Sequence, residues 1–389
     1  MTGTAFDSIP TDTNKYVYQM ASPAPMSLEP HGHIPKPPLT FSTSLFRHIS
    51  PTLFLQRHLL QNPPTRPNGR QPHQYRDFTL TTNSLSHAHG SAVVRTGDTA
   101  VVCGVRGEIL ELAPGDDPSR FETYHHSSTS AVHSYGSRGS GGASWGELIT
   151  INVELSTGCS KKYPLGPPGT LAQALSDQLR ELAVVSKLVN LSSLGIYNPE
   201  ERHDPTVKPR GYWCLYIDVL CISLDGNLLD AAWYAIVAAL VSAKLPKASW
   251  SQAEERIFCD GSSHHPILLR RSLPFVTTFA VVPICESTGM DAIRCSGNIS
   301  TCIVLNDPDS YEEEEAIETL AVLSTVVCED SDVDQINAPS MRTRVEKIEK
   351  TGGWNLEESQ IIHCTHLAAA KTRDYDRVLL REGLDAVQI

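Results

Sequence analysis

Residues 213–246 read WCLYIDVLCISLDGNLLDAAWYAIVAALVSAKLP, and they place a strand, a turn and a helix one after another. β-Branched and aromatic residues run almost without interruption through 213–223, which predicts a buried strand covered on both faces. Asp225 and Gly226 then predict a turn, because glycine adopts a positive φ at no steric cost. The first part of the stretch is therefore a buried strand that ends in a tight turn.

The second part of the stretch predicts a core helix. Residues 231–244 are rich in strong helix formers, Asp230 is placed to cap the first free N–H groups, and Leu245 and Pro246 are expected to end the helix. Apolar side chains occur on nearly every face, which is typical of a helix that is buried all round. The densest apolar stripe consists of Trp233, Ile236, Val237, Leu240 and Val241.

The composition is that of a globular protein with a negative net charge. The chain has 389 residues, of which 40% are apolar and 20% are charged, and this length allows two domains. A formal net charge of −12 argues against nucleic acid binding over the whole surface, so any RNA contact must be local. Ten cysteines occur without a Cys-x-x-Cys pair, which predicts buried, reduced thiols. Since no signal-peptide h-region and no run of about 18 apolar residues is present, no membrane contact is expected.

Changes in composition divide the chain into an extension and two halves. Residues 1–60 are predicted to be a flexible N-terminal extension, with a short helix around 46–60. Residues 61–246 form the predicted first half and residues 247–389 the second half, which ends in a helix. An insertion at about 111–146, with a Gly/Ser-rich run, is expected to be a long surface loop between two strands of the first half.

Periodicity predicts strands and helices in both halves. Alternation over 75–110 predicts an antiparallel meander whose buried strand covers 100–105, and 147–155 predicts a further strand. Apolar residues from Leu171 to Val189 recur at three- and four-residue spacing, which predicts an amphipathic helix packed on a sheet. The predicted elements of the second half are strands at 267–269, 275–282, 302–305 and 319–327 and a helix over 355–384.

Several motifs in a fixed order resemble the RNase PH family. They are RPNGR at 66–70, GDTAVV at 97–102, NVE at 152–154, GPP at 166–168 and the strand-turn-helix stretch, and they span roughly 61–330. Segments 152–170 and 213–232 are most similar to ring subunits of the eukaryotic exosome core. The resemblance implies an α+β fold like the second domain of ribosomal protein S5, with mixed sheets packed with helices in two similar halves. It also implies a structural role for the family signature residues Arg66, Gly69, Arg70, Gly97, Asp98, Asp225 and Gly226.

The phosphate-binding residues of active family members are missing from the sequence. Active members cleave the terminal RNA phosphodiester with inorganic phosphate, which must be held and neutralised in the transition state. By resemblance, a Gly-Thr-Arg or Gly-Thr-Ser loop after the signature aspartate holds it, whereas residues 225–229 read DGNLL here. Arg180 is the only arginine of the helix predicted after Gly169, and Asp177 and Glu181 flank it as in a solvated ion-pair face. The chain is therefore expected to be an inactive subunit.

Three other segments resemble ligand sites but lack the spacing that such sites need. Residues 306–315 (NDPDSYEEEE) carry carboxylates, which suit Mg²⁺, but adjacent glutamates more often form a solvated turn or helix start. His363 and His366 have no second ligand pair for zinc. The glycine-rich run at 136–144 lacks the Gly-Lys-Ser/Thr ending of a nucleotide-binding loop. No metal and no cofactor is expected.

The favoured function is a catalytically silent subunit in the hexameric ring of the exosome, which guides RNA to a 3′-to-5′ exoribonuclease. By resemblance, the partners are other RNase PH-like ring subunits, cap subunits with S1 or KH domains, a processive RNase II-like exoribonuclease, and RNA. The implied roles are ribosomal RNA processing and RNA decay, in the nucleus, nucleolus and cytoplasm. Exposed sheet edges would suit edge-to-edge assembly into a closed ring.

RNA contacts in a ring channel would use cations against phosphates. The candidates are Arg120 and Arg138 in the insertion and Lys161 and Lys162 before Gly166, and ordinary solvated charges are the alternative interpretation. The rival function is an active phosphorolytic 3′-to-5′ exoribonuclease with altered ligands. A small-molecule kinase with a related S5-like fold is disfavoured, since no glycine-rich phosphate loop starts a helix.

Overall fold

The computed structural model describes residues 42–112, 148–161, 163, 169–200, 208–284, 301–316, 318–328, 341–352 and 356–381. The strands are β1 (Phe78–Thr82), β2 (Gly90–Thr96), β3 (Thr99–Glu111), β4 (Ile149–Leu155), β5 (Gly195–Ile196), β6 (Gly211–Ser223), β7 (Lys244–Ser251), β8 (Arg256–Pro266), β9 (Pro274–Ile284), β10 (Thr301–Asn306), β11 (Glu318–Cys328) and β12 (Met341–Thr351). The helices are α1 (Thr43–Ile49), α2 (Pro51–Leu59), α3 (Thr170–Ser186), α4 (Leu228–Ser242), α5 (Ser310–Glu315) and α6 (Glu358–Arg381). None of the helices in these ranges is both long and apolar enough to cross a membrane.

The first half is built on a six-stranded sheet with the order β1-β2-β3-β6-β4. β1, β2 and β3 form an antiparallel meander, β3 pairs antiparallel with β6, and β4 pairs parallel with β6. The short β5 pairs with the start of β6. The meander predicted for 75–110 and the strand predicted for 147–155 are therefore confirmed. The insertion predicted at 111–146 joins β3 to β4 and lies almost wholly outside the described residues.

Helix α4 packs between the two main sheets and is buried all round, as its sequence predicts. Trp233 donates from its ring nitrogen to the carbonyl of Pro274 at 2.8 Å, and Tyr234 donates to the carbonyl of Val276 at 2.6 Å. Both carbonyls belong to β9 of the second sheet, whereas the other contacts of α4 include β2, β3 and β6 of the first. One helix therefore joins the cores of both halves.

The start of α4 differs from the prediction. The helix begins at Leu228, after Asn227, which adopts the left-handed conformation with a φ of 52°. Asp230 thus lies within the first turn and does not cap it, which corrects the predicted cap. Its carboxylate is instead buried and accepts hydrogen bonds from Thr278 of β9.

The helix also ends earlier than the sequence predicts. Its last residue is Ser242, and the backbone N–H of Lys244 donates to the carbonyl of His89 at 2.9 Å. Leu245 and Pro246 belong to β7, which pairs with β8 in a two-stranded ribbon. Backbone pairing of the chain after Ser242 therefore replaces the last predicted helical residues.

Strand β6 is buried on one face and open on the other. From Tyr216 onward its residues alternate, and the exposed fractions are 36% for Tyr216, 39% for Leu220 and 50% for Ile222. α3 and α4 pack against the buried face of the sheet. The prediction of a strand covered on both faces is therefore wrong for the isolated chain, because an apolar run does not distinguish a covering helix from a covering partner.

The second half is built on a four-stranded antiparallel sheet with the order β10-β9-β11-β12. α6 packs on β9 and β11. β9, β10, β11 and α6 confirm their predictions within the described residues. β8 escapes prediction because nearly all its residues are exposed, so it lacks the alternation that marks a half-buried strand. The strand predicted at 267–269 is wrong, since this segment follows β8 and Leu269 forms an isolated bridge with Val189.

The N-terminal segment contains two helices rather than the one predicted for 46–60. α1 ends before Ser50, and Pro51 occupies the first position of α2, where its missing N–H is not needed. Leu55 and Leu59 of α2 are buried against the second sheet. This part of the segment 1–60 therefore belongs to the fold and is not a flexible extension; residues 1–41 lie outside the described residues.

The described cysteines are free thiols, and most of them are buried. Cys259 lies on the exposed strand β8, so the prediction of buried thiols is wrong for this residue. Burial raises the pKa of Cys221 to about 12, which keeps this thiol protonated at neutral pH. The prediction of burial is confirmed for Cys103, Cys159, Cys214, Cys221 and Cys364.

Replacing Gly90 with alanine is expected to destabilise the fold by about 1–3 kcal/mol, measured as the free energy of unfolding in urea. A Cβ at Gly90 would overlap Ala239 and Ala243, so β2 and the end of α4 would have to move apart. Gly261→Ala is the matched control, because a Cβ there meets no atom within 4 Å; its expected effect is within about 0.5 kcal/mol. Equal stability of the two variants would contradict the close approach of β2 to α4.

Candidate functional site

Charged side chains from both halves meet where the turn after β6 faces the end of β10. The loop 66–76 contributes arginines, the start of α4 contributes an amide and a carboxylate, and the segment 306–315 contributes carboxylates. We call this set the ionic junction. Its members are Arg66, Arg70, Arg76, Asn227, Asp230, Asp307, Asp309, Glu312 and Glu313.

Arg66 and Glu312 form a fully buried ion pair, with Nη1 3.2 Å from Oε2. The guanidinium also donates to the backbone carbonyls of Pro72, of Asn306 at 2.6 Å and of Asp307 at 3.4 Å. Burial lowers the pKa of Arg66 to about 10, so the group keeps its charge at neutral pH. Burial raises the pKa of Glu312, and the charge of Arg66 opposes that rise. The pair fixes the loop 66–76 to α5.

The acidic segment 306–315 contains the start of a helix, as predicted, but it is solvated only in part. Asp307 and Glu312 are buried, and Asp309 caps α5 in a capping box with Glu312. Arg66, Arg70 and Arg76 lie against these carboxylates. The prediction of a solvated acidic segment is therefore wrong for Asp307 and Glu312, because arginines from a distant part of the chain neutralise them, whereas Glu314 is exposed as predicted.

Asp307 receives a bidentate ion pair from Arg76. Nη2 lies 2.7 Å from Oδ1, Nε lies 3.0 Å from Oδ2, and the backbone N–H of Arg76 donates to Oδ2 at 2.9 Å. The side chain of Asn227 donates to Oδ1 at 2.8 Å. Burial alone would raise the pKa of Asp307, but Arg76 outweighs it and holds this pKa below its usual value. Arg76 also donates to the carbonyl of Asp225 at 2.5 Å, which ties the turn after β6 to the end of β10.

Side chains of the ionic junction close the first turn of α4. The backbone N–H of Asn227 donates to Oε1 of Glu313 at 2.7 Å, and its side-chain amide donates to Asp230 at 2.9 Å. Thr278 of β9 donates to Asp230 through both its backbone N–H and its hydroxyl group. Burial raises the pKa of Asp230 and of Glu313 to about 7, because neither carboxylate has an arginine of its own as a hydrogen-bond donor in this arrangement.

The turn after β6 offers poor chemistry for binding an anion. Glu313 already accepts the N–H of Asn227, Leu228 is buried, and Leu229 packs partly buried against the core. A Cβ at Gly226 would overlap the backbone at the start of α5, so this helix sits directly on the turn. The turn thus holds a carboxyl group and leucines where a phosphate needs a cation and free N–H groups.

The described carboxylates also lack the arrangement of a metal site. Among the residues that the structure describes, no group of three or more His, Cys, Asp or Glu side chains is placed to hold a metal ion. His363, singled out by its spacing from His366, instead stacks edge-on against His73 with a centroid distance of 5.6 Å.

The structure brings only some of the signature residues together. Arg66, Arg70, Asp225 and Gly226 lie in or beside the ionic junction, and Arg70 donates to the carbonyl of Asp307 at 3.0 Å. Gly69 and Gly97 occupy turns with φ of 86° and 58°. Asp98 is not a member of the junction; it is exposed and pairs with Arg95 at 3.6 Å.

Of the residues predicted to contact RNA, Lys161 is the one within the described part of the chain. Lys161 is exposed in the turn that follows β4, whereas Arg120, Arg138 and Lys162 lie outside the described residues. Arg180 is exposed on α3, in line with its prediction as a solvated residue. Its neighbour Glu181 pairs with Lys347 of β12 at 2.9 Å, which joins α3 to the second sheet.

Sequence reasoning missed two cations that join distant segments. Arg76 stands between Tyr75 and Asp77 with no motif around it, and its partners are about 150 and 231 residues further along the chain. Lys371 of α6 lies over the rings of Tyr75 and Tyr375, with its Nζ 4.3 and 4.5 Å from the two centroids. No local pattern marks such residues, because their partners come together only in the folded chain.

Known proteins resemble this chain in both sequence and fold. Residues 74–246 match the model of the 3′ exoribonuclease family, domain 1. Exosome complex component rrp43 of Schizosaccharomyces pombe is 30% identical over 333 residues, which cover 86% of this chain and 96% of that protein. The chain belongs to the RNase PH family of 3′ exoribonucleases. Exosome complex component Rrp42 of Methanocella arvoryzae is 27% identical, also over 333 residues, which cover 85% of this chain and 94% of that protein.

Solved structures of family members share the fold. A chain of the Archaeoglobus fulgidus exosome with RNA bound to the active site aligns with a TM-score of 0.52 and 23% identity, covering 83% of this chain and 96% of that one. A chain of an archaeal exosome core aligns with a TM-score of 0.51 and 21% identity, covering 86% of this chain and 97% of that one. The expected RNase PH fold, with mixed sheets packed with helices, is therefore confirmed.

Glu312→Gln is expected to lower the free energy of unfolding by about 3–5 kcal/mol, because it leaves the buried Arg66 without a countercharge. Urea unfolding at neutral pH measures the loss. Glu314→Gln, two residues further on and exposed, is the matched control and should change stability by no more than about 0.5 kcal/mol. A loss as small in Glu312→Gln as in the control would show that the ion pair does not hold the junction together.

Glu313→Gln is expected to weaken the pH dependence of stability. A pKa of about 7 in the folded state exceeds the value of about 4.3 in an unfolded chain, so the folded state binds this proton more tightly. That stability is present in full below about pH 4 and is lost as the pH rises through about 7. Glutamine keeps an acceptor for the N–H of Asn227 but has no proton to lose.

Unfolding free energies at about pH 5 and about pH 8 measure this effect. The fall between these two values should be smaller in Glu313→Gln than in the wild type, and it persists in part because Asp230 shifts in the same direction. Glu314→Gln should keep the wild-type fall. An unchanged fall in Glu313→Gln would mean that this carboxyl group titrates alike in the folded and unfolded states.

Proposed function

We propose that this chain is a catalytically silent ring subunit of an RNA exosome core, which guides RNA to a 3′-to-5′ exoribonuclease. The observation that carries the proposal is that side chains of the protein itself fill the turn after β6. Glu313 accepts the N–H of Asn227, and Leu228 and Leu229 follow where a phosphorolytic relative is expected to present anion ligands.

Phosphorolysis needs phosphate held in line with the scissile bond and neutralised as charge develops. The arginines nearest to the turn do not meet this need. Arg76 is engaged by Asp307, and Arg70 by Asp307 and Glu312, so both guanidinium groups already have carboxylate partners. A phosphate ion at the turn would face the carboxyl groups of the ionic junction rather than a free cation.

The relatives support assembly in an exosome. Proteins named as exosome complex components align over most of this chain and most of their own length. The proposed partners are other RNase PH-like ring subunits, cap subunits with S1 or KH domains, an RNase II-like processive exoribonuclease, and RNA. The proposed roles are ribosomal RNA processing and RNA decay, in the nucleus, nucleolus and cytoplasm.

Local cations rather than the whole surface would contact the RNA, since the chain carries a net charge of −12. Lys161 is a candidate within the described residues, because it is exposed in a turn that follows β4 and that is hydrogen-bonded to the end of β6. Arg120, Arg138 and Lys162 remain candidates by their positions in the sequence.

Native mass spectrometry of the complex recovered with the tagged chain from its own cells tests the assembly. One copy of the chain together with other RNase PH-like chains and cap subunits is the expected composition. A monomer or a homo-oligomer would contradict the proposal.

The purified chain tests the second part, the lack of catalysis. It is expected to release no nucleoside diphosphates from single-stranded RNA in phosphate buffer, because its turn lacks anion ligands. Phosphate-dependent release that follows the chain through successive purification steps would favour an active phosphorolytic exoribonuclease instead. RNA incubated with the same preparation in phosphate-free buffer is the control for contaminating hydrolytic nucleases.

A further inference from the structure

The chain before the first sheet is the basic part of an acidic protein. Residues 30–76 contain one lysine and five arginines but no aspartate or glutamate, although the whole chain has a net charge of −12. Three of these arginines, Arg66, Arg70 and Arg76, pair with carboxylates of the ionic junction. The other two are Arg47 of α1 and Arg57 of α2. Within the described residues, the basic charge that the junction does not use therefore lies on α1 and α2.

Both of these arginines lie over aromatic rings. The guanidinium carbon of Arg47 is 4.4 Å from the ring centroid of Tyr311, and that of Arg57 is 5.0 Å from the ring centroid of Phe46. Phe54 joins the two rings, with its centroid 6.0 Å from that of Phe46 and 6.5 Å from that of Tyr311. We call these five residues the arginine–aromatic cluster. An arginine lies at each end of this row of ring contacts.

The guanidinium groups of the cluster are accessible from solvent. Arg47 and Arg57 are exposed, whereas Phe54 is buried and Phe46 and Tyr311 are half-buried. Within the described ranges, neither arginine forms an ion pair with a carboxylate. The rings hold each planar cation in place, and its outer side is open to a ligand.

Exposed apolar side chains accompany the two cations. α1 is seven residues long and none of its residues is buried, and Leu45 and Ile49 are 47% and 58% exposed. Leu60, directly after α2, is 55% exposed. A helix as short as α1 is marginal by itself in water, so a ligand that covers it would also stabilise it.

This combination of side chains fits single-stranded RNA. Phosphates would meet the guanidinium groups, and bases would stack on the guanidinium planes or lie on the apolar side chains. Every nucleotide supplies both a phosphate and a flat base, whereas the bases of a double helix are already stacked on one another. Glu315 of α5 brings a negative charge to this side of the fold, but its carboxylate accepts the hydroxyl of Thr52 at 2.7 Å.

We infer that the arginine–aromatic cluster of α1, α2 and α5 binds single-stranded RNA, with phosphate contacts and base stacking through Arg47 and Arg57. The inference rests on the proposed function and deepens it, because it names a surface on which the chain contacts its RNA. The two arginines are separate from the candidate cations at 120–162.

The full chain, purified by itself, is titrated with a fluorescein-labelled oligouridylate, and fluorescence anisotropy measures binding over a range of salt concentrations. Arg47→Gln combined with Arg57→Gln is expected to raise the Kd at least about tenfold at low salt, because stacking partners and phosphate contacts are both lost. The slope of log Kd against log salt should fall by about 0.7 for each arginine. Arg180→Gln combined with Arg381→Gln is the matched control. It removes two exposed arginines from α3 and α6 and should bind like the wild type.

Lysine variants separate stacking from charge. Arg47→Lys combined with Arg57→Lys keeps both charges but loses the planar groups, so the salt slope should stay while the Kd rises about fivefold or more. An abasic oligonucleotide of the same length should likewise bind more weakly than the oligouridylate. Equal binding of the two oligonucleotides, or of the lysine variant and the wild type, would overturn the stacking role.

An RNA affinity and a salt slope that the glutamine variant leaves unchanged would overturn the site, and so would a wild-type chain that binds no RNA. Ring entry is measured separately, by native mass spectrometry, so failure of this site and failure of the proposed function are distinguishable. Urea unfolding checks that the glutamine variant is as stable as its control.

Crosslinking tests the site without removing either arginine. In the complex recovered with the tagged chain, a photocrosslinking residue in place of the exposed Leu45 is expected to crosslink to RNA. Crosslinks to protein alone would assign this surface to a protein partner and overturn the inference. The same residue in place of Leu380, which is 54% exposed on α6, is the control and should give no crosslink to RNA.

Discussion

The ion pair between Asp307 and Arg76 is the contact on which the arrangement of the two halves depends. Asp307 follows β10 of the second sheet, Arg76 precedes β1 of the first, and the same arginine donates to the turn after β6. The carboxylate is buried, so its charge is tolerated only with donors on both oxygens, and Arg76 and Asn227 provide them. A shift of either sheet by about an ångström would break a bidentate geometry of this kind. The contact therefore defines one relative position of the two sheets.

The same junction engages the arginines that lie nearest to the turn after β6. Arg66 and Arg70 meet Glu312, and the start of α4 meets Glu313, so the charges that an anion would use are balanced within the chain. A buried arginine with a carboxylate partner supports one conformation and is not available to a ligand. The arginines could donate either to a bound anion or to carboxylates of the chain, and in this structure they donate to the carboxylates.

Much of the fold follows from local patterns, and the site does not. The strand-turn-helix stretch can be predicted because the helix around Trp233 is apolar on every side. The meander can be predicted because its apolar and polar residues alternate. The acidic segment misleads because composition does not show that Glu312 is buried against Arg66, which is 246 residues away. β8 is missed because it is exposed, and β6 is taken as covered on both faces because Leu220 and Ile222 are apolar whatever covers them. Whether a charge is buried, and which face of a strand is covered, depend on residues far away in the chain, so a short window of sequence does not reveal them.

The open face and the ionic junction are linked through one strand. Ile222 ends the exposed row of β6, and Asp225, three residues later, is held by Arg76. Any molecule that binds this face would stabilise the native state. Its binding would be tighter if β6 is already ordered before binding, because no free energy is then spent on ordering the strand. Buried ion pairs often add less to stability than to the choice of one structure. The arginine and carboxylate pairs of the ionic junction therefore hold the end of β6, and with it the exposed row, in one position relative to the second sheet.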